Sequence, residues 1–135
     1  MNTWVMIGAV AVAVVGVWAF VLPKAASGYE VKAMSAKEMT QAKAVIVDIR
    51  RPDEWAATGV IKGAKLITFT DQASFLAQLG PVPAGSPLVI ICQSGRRSGA
   101  AAAALAGNLD GPIISYAGGM SAWIADKGQI TKPKM

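Results

Sequence analysis

The sequence predicts a small α/β domain, a central and mostly parallel sheet flanked by helices, preceded by one N-terminal transmembrane helix. Three observations carry this reading. The apolar runs "AVIVDI" (44–49), "LVIIC" (88–92) and "PIISYA" (112–117) recur along the chain, and such runs are how strands covered on both faces read. Segments with helix start and stop signals lie between them, and strand–helix alternation is the pattern of a parallel sheet with helical crossovers. An uninterrupted apolar stretch, residues 4–22, precedes all of this.

That stretch, "WVMIGAVAVAVVGVWAFVL", carries no charge. As a helix it would span about 28 Å, close to the thickness of a bilayer's hydrocarbon core. Trp4 and Trp18 lie towards its ends, where amphipathic rings sit among headgroups. A cleaved signal peptide has a shorter apolar region behind a Lys or Arg, whereas only Met1, Asn2 and Thr3 precede this one. Residues 1–23 are therefore read as an uncleaved anchor, although "KAASG" (24–28) offers small residues for cleavage. Lys24, Lys32 and Lys37 follow the span and no Lys or Arg precedes it. The positive-inside rule then puts the C-terminal domain in the cytoplasm of a single-pass protein of the bacterial inner membrane. A periplasmic domain is the alternative, because the α-amine adds positive charge ahead of the span.

Residues 24–34 form a linker and a first extended segment, residues 30–130 the folded domain, and residues 131–135 a polar tail. Ser35 and Glu38 make a capping-box pair for a helix over about Ala36–Ala42. After the strand at 44–49, "RRPDEWAATG" (50–59) reads as a loop entering a short helix, with Pro52 early and Gly59 at its end. "AKLITF" (64–69) is a shorter strand candidate. Asp71 caps a helix over "QASFLAQL", stopped by Gly80 and Pro81. After a loop at 81–87 and the strand ending at Cys92, a helix is expected from Ser98 to Leu109. The strand at 112–117 leads into a tight turn and short helix over 118–128.

The net charge is +5, and all of it lies beyond residue 23. Such a domain gains attraction to an anionic membrane surface. Scattered lysines and the absence of a nucleic-acid motif argue against a nucleic-acid partner. The chain has one cysteine and no histidine. That excludes an internal disulfide, His-dependent catalysis and most zinc sites; no metal and no cofactor is expected.

Cys92 ends a strand and precedes a helix, and ligand sites of parallel sheets lie beyond the carboxyl ends of their strands. Taken alone, a lone cysteine is more often a buried core residue. The "SGRRSG" that follows reverses this. A helix N-terminus presents unpaired N–H groups and partial positive charge. Gly95 lets the turn curl so that N–H groups point inward. Arg96 and Arg97 add full charges, and all three favour a thiolate nucleophile.

The loop "CQSGRRS" resembles the active-site loop of the rhodanese (sulfurtransferase) family, C-x-x-G-x-R followed by a small residue. "VDIRRPDEW" resembles the family's D-x-R-x-x-x-E-aromatic segment, "TGVIKGAKLI" its G-H-I-x-G-A segment, and "YAGGMSAW" its closing G-G-x-x-x-W segment. The resemblance spans Glu30 to Lys127. It implies a rhodanese-like domain in which the Cys92 thiolate takes a sulfur atom from a donor such as thiosulfate. An acceptor thiol or cyanide then removes it. The N–H groups of Gln93, Ser94, Gly95, Arg96, Arg97 and Ser98 would cradle the persulfide. Arg97 matches the motif's arginine, and Arg96 is free to attract the anionic donor. Asp48, Arg50 and Glu54 read as a supporting salt-bridge and hydrogen-bond set, Trp55 and Trp123 as packing residues, and Gly118–Gly119 as a tight turn. Val60 stands where the family has histidine, at a position that usually looks structural.

Four residues separate Cys92 from Arg97. Related phosphatases and arsenate reductases use a loop one residue longer, so the spacing favours sulfur over a tetrahedral oxyanion. A second class of function is a membrane-tethered persulfide carrier or interaction module serving a membrane-bound protein partner.

Overall fold

Five strands and five helices follow the order that the apolar runs and capping signals set in the computed structural model, which describes residues 28–135. They are β1 (Glu30–Lys32), α1 (Ala36–Gln41), β2 (Val45–Asp48), α2 (Pro52–Thr58), β3 (Lys65–Leu66), α3 (Gln72–Leu79), β4 (Leu88–Ile91), α4 (Arg96–Leu105), β5 (Ile113–Tyr116) and α5 (Gly119–Ala125). The anchor expected over 4–22 lies outside the described residues. Among those described, no helix is long and apolar enough to cross a membrane.

The strands form one sheet in the order β1-β5-β4-β2-β3, and every pairing is parallel. Asp48 pairs with Ile91, and Ile90 with Ser115. The carboxyl ends of β2, β4 and β5 therefore open onto one edge.

Alternation along each strand divides the core into two layers. Leu88 and Ile90 of β4, Val47 and Ile113 pack with Phe75, Leu79, Ala101, Ala102 and Leu105 of α3 and α4. Val89, Ile91, Ile114 and Tyr116 pack on the other face with Met39, Ile61, Met120 and Trp123. All four β4 side chains are buried, each contributing about 1.5–3 kcal/mol as apolar surface leaves water. Period-two alternation carried one residue past β4 aims Cys92 at the α3/α4 layer, where it is found.

The caps form as their residues dictate. Ser35 and Glu38 complete a reciprocal capping box on α1, and Asp71 accepts from the Ser74 N–H at the start of α3. Two expectations need correction. First, α4 begins at Arg96, two residues before Ser98, and ends at Leu105 rather than Leu109. Gly95, at φ 99°, turns the chain so that the next residue is already helical. Ala106, at ψ 130°, leaves the helical path, and Gly107, at φ 85°, completes a turn closed by the Asn108 N–H on the Leu105 carbonyl. Second, β3, at the edge of the sheet, is only two residues long, although Ile67 and Phe69 still donate to the carbonyls of Asp48 and Ile49. The polar tail at 131–135 is joined to the domain at its first residue. Val60 and Thr131 exchange backbone hydrogen bonds of 2.9 and 2.7 Å across an isolated antiparallel bridge.

Candidate active site

Cys92 follows β4 directly and is fully buried. Gly95 folds the chain back so that its own N–H lies 3.0 Å from the Cys92 Sγ, with the Ser98 N–H at 3.3 Å. The Ser98 Oγ lies 3.5 Å from Sγ. Burial pushes the thiol pKa up. Hydrogen bonds from the Ser98 hydroxyl and N–H and from the N–H groups of Gly95 and Ser94 outweigh that cost, so the pKa falls below its ordinary value. The N–H groups of Arg96 and Arg97 open the first turn of α4, where an α-helix has no carbonyl to offer them.

The turn after β5 sets this curl. The Met120 N–H donates to the Cys92 carbonyl at 2.7 Å, and the Ser121 N–H to the Gln93 carbonyl at 3.0 Å. A trans peptide points its C=O and N–H in opposite directions. Pinning the Gln93 carbonyl onto α5 therefore turns the Ser94 N–H away from α5, to the side where it meets the sulfur. Gly119 makes the approach possible: a Cβ there would lie 2.6 Å from the Gln93 carbonyl carbon and would also strike the Cys92 oxygen.

Charge is arranged differently from the sequence reading. Glu54 does not join Asp48 and Arg50 in one set through its carboxylate. It takes both Nη donors of Arg97, at 2.8 and 2.6 Å, and the Arg51 N–H at 2.9 Å. Arg97 thus ties the cradle to α2; hydrogen bonds are the main pull on Cys92 towards its anion, and the charges of Arg97 and Cys92 favour one another. Arg96 is exposed, and no acceptor meets its guanidinium among the described residues.

Asp48 and Arg50 are both buried and paired at 2.9 Å. Arg50 spends its remaining donors on the Thr58 hydroxyl (2.8 Å), the Gly59 carbonyl (2.9 Å) and the Gln93 Oε1 (2.9 Å). The Gln93 amide in turn donates to the Ser121 Oγ at 3.0 Å. The Gln93 side chain is therefore a strut between the β2–α2 loop and α5, while Ser94 is left exposed.

Two contributors were not anticipated. Ser121 follows the double glycine with no sequence signal of its own. Ser115, buried in β5, places its Oγ 2.8 Å from the Ser98 Oγ. Its signal was the alternation that sets Ser115 with Ile113 on the α4 side. No group of three or more metal-ligating side chains converges among the described residues.

Residues 29–126 match the rhodanese-like domain family. No curated protein matches the chain by sequence. Among solved structures, a rhodanese-like domain protein from Staphylococcus aureus is 28% identical, covering 68% of this chain and 90% of its own, with a TM-score of 0.51. A Rhodopseudomonas palustris protein of unknown function, described as a possible tyrosine phosphatase, is 26% identical over 75% of this chain and 85% of its own, with a TM-score of 0.55. A rhodanese-related protein from Thermoplasma volcanium shares the fold at 20% identity, covering 76% of this chain and 99% of its own, with a TM-score of 0.58. The family match takes in every strand of the sheet together with the loop that bends around Cys92, and the chain belongs to the rhodanese-like domain family.

Proposed function

We propose that this protein is a sulfurtransferase that carries sulfane sulfur as a persulfide on Cys92. The observation that carries this reading is the Cys92 Sγ held by the Gly95 and Ser98 N–H groups, at 3.0 and 3.3 Å, within a loop of sulfur-transfer length. The Cys92 thiolate attacks the outer sulfur of an anionic donor such as thiosulfate. The sulfur–sulfur bond of the donor breaks, sulfite leaves with the bonding electron pair, and a persulfide anion remains on Cys92. A thiolate or cyanide then attacks the outer sulfur and restores the Cys92 thiolate. The open N–H groups at the start of α4 suit the charge on that outer sulfur, and Arg96 is the cation free to attract the donor.

The test incubates the purified full chain in detergent with thiosulfate and reads intact mass and released sulfite. One sulfur atom gained per chain, with matching sulfite, is expected; Cys92→Ser should gain none. No mass gain on the wild-type protein would sink the proposal. The four-residue spacing between Cys92 and Arg97 also leads us to expect no turnover of aryl phosphates.

The apolar segment 4–22 favours a second reading, in which the domain is tethered to a membrane and hands its persulfide to a membrane-bound partner. Rapid loading with slow release to small thiols would support it. Protease treatment of intact spheroplasts tests the cytoplasmic placement, since digestion of the domain from outside would refute it.

A further inference from the structure

We propose that Ser115 is a positioning residue for the reaction at Cys92, acting through the Ser98 hydroxyl to favour the thiolate over the thiol. The inference deepens the sulfur-transfer reading and rests on it for its purpose, although its geometry stands alone.

Ser98 Oγ has three polar neighbours: the Cys92 Sγ at 3.5 Å, the Gly95 carbonyl at 3.1 Å and the Ser115 Oγ at 2.8 Å. A hydroxyl has one proton to give and two lone pairs with which to accept. Ser115 is buried, and its hydroxyl has no other hydrogen-bond partner among the described residues. Its proton therefore goes to the Ser98 Oγ. That occupies one lone pair of Ser98 and leaves the Ser98 proton free for the Gly95 carbonyl or for sulfur.

The two ionisation states of Cys92 use this arrangement differently. As a thiol, Cys92 donates to the Ser98 Oγ, competing there with Ser115 for electron density, while Ser98 gives its proton to the Gly95 carbonyl. As a thiolate, Cys92 only accepts, and Ser98 turns its proton onto sulfur. A hydroxyl that is itself accepting a hydrogen bond is the better donor and the poorer further acceptor. Ser115 therefore strengthens the bond to the thiolate and weakens the bond from the thiol.

The charged groups around Cys92 lie on elements other than β5, which carries Ser115. Asp48 ends β2, Arg50 lies in the loop after it, Glu54 is on α2, and Arg96 and Arg97 start α4. Asp48 with Arg50, and Glu54 with Arg97, are paired off. Tyr116, next to Ser115, faces the opposite core layer. Ser115 thus acts by a hydrogen bond, without a charge of its own.

Because the chain has one cysteine, the ultraviolet absorbance of its thiolate can be followed against pH in the full-length protein, with Cys92→Ala as the blank. In Ser115→Ala the midpoint should rise by about half to one pH unit, the worth of one modest hydrogen bond. Ser115→Thr, which keeps the hydroxyl, should stay close to wild type. In a Ser98→Ala background, Ser115→Ala should add no further rise. A folded Ser115→Ala with an unmoved midpoint, or a full additional rise without Ser98, would overturn the proposal. If Ser115→Ala does not fold, proton NMR of the wild-type protein decides. An exchange-protected Ser115 hydroxyl proton on both sides of the midpoint supports the proposal, and its absence refutes it. None of these readouts needs a sulfur donor. A failure to load sulfur from thiosulfate would count against the proposed function and leave this test intact.

Discussion

At Glu54 the two Nη donors of Arg97 hold the carboxylate against the opposing cost of burial, and with help from the Arg51 N–H they bring its pKa down to about 2. A carboxyl whose folded pKa is depressed stabilises the fold above its unfolded value, near 4.3 for Glu, and loses that contribution as pH falls through the folded value. Glu54→Gln should therefore cost about 1.5–3 kcal/mol at neutral pH, the range of hydrogen bonds to a charged group. In urea melts the gap to wild type should narrow below about pH 4 and close near pH 2. A gap that persists at pH 2 would mean that Glu54 acts by shape and not by charge. The same variant frees Arg97 from α2 and should slow sulfur loading on Cys92 several-fold. Glu54, Arg97 and Cys92 were each legible in the sequence from their motifs. That Arg97 answers to Glu54 was not, because 43 positions separate the two residues and local spacing carries no information about a pairing across elements.

Between elements, the contact that shapes the site is the press of the β5–α5 turn against the Cys92 loop. Gly119 has φ 58°, and a Cβ there would strike the Cys92 oxygen and lie 2.6 Å from the Gln93 carbonyl carbon. Gly63 also has positive φ, 85°, but a Cβ would meet nothing within 4 Å. The pair separates backbone strain from collision. Gly63→Ala should cost about 1 kcal/mol from its dihedral alone. Gly119→Ala should cost at least about 2 kcal/mol, because backbone atoms cannot yield as a flexible side chain can. If it folds, it should also load sulfur far more slowly than Gly63→Ala, since the Met120 and Ser121 N–H groups would be pushed off the loop carbonyls they hold. Equal losses for the two variants, in melting and in loading, would show that the close approach is not what matters. The double glycine was readable as a tight turn. Which carbonyls it would meet depends on β5 lying beside β4, and that adjacency follows from the sheet order rather than from any run of residues. The start of α4 was hidden for a related reason: Gly95 reads as a loop residue, yet its left-handed turn lets helix begin with the next residue.

Across the whole molecule, the alternation of apolar runs and capping signals was enough to anticipate a parallel sheet with helices on both faces. It could not reveal how the far end of the chain bears on the site. Residues 131–135 read as a polar tail, yet Thr131 exchanges two backbone hydrogen bonds with Val60, and the indole N–H of Trp123 donates to the Gln129 carbonyl at 2.9 Å. Val60, in the place of the family's histidine, is buried under that bridge. The neighbouring Gly59 carbonyl accepts from Arg50, and Arg50 donates to Gln93 in the Cys92 loop. Residues 129–131 thus bond Val60 and Trp123, the adjoining Gly59 carbonyl bonds Arg50, and Arg50 bonds the loop around Cys92. A chain ending at Gly128 would lose three hydrogen bonds and should be destabilised by roughly 2–3 kcal/mol at about 1 kcal/mol each. A chain ending at Lys132 keeps all three and should melt like wild type. If the bracing reaches the site, the shorter chain should also load sulfur on Cys92 more slowly at temperatures where it is still fully folded. Lowered stability with unchanged loading would confine the tail to holding the fold.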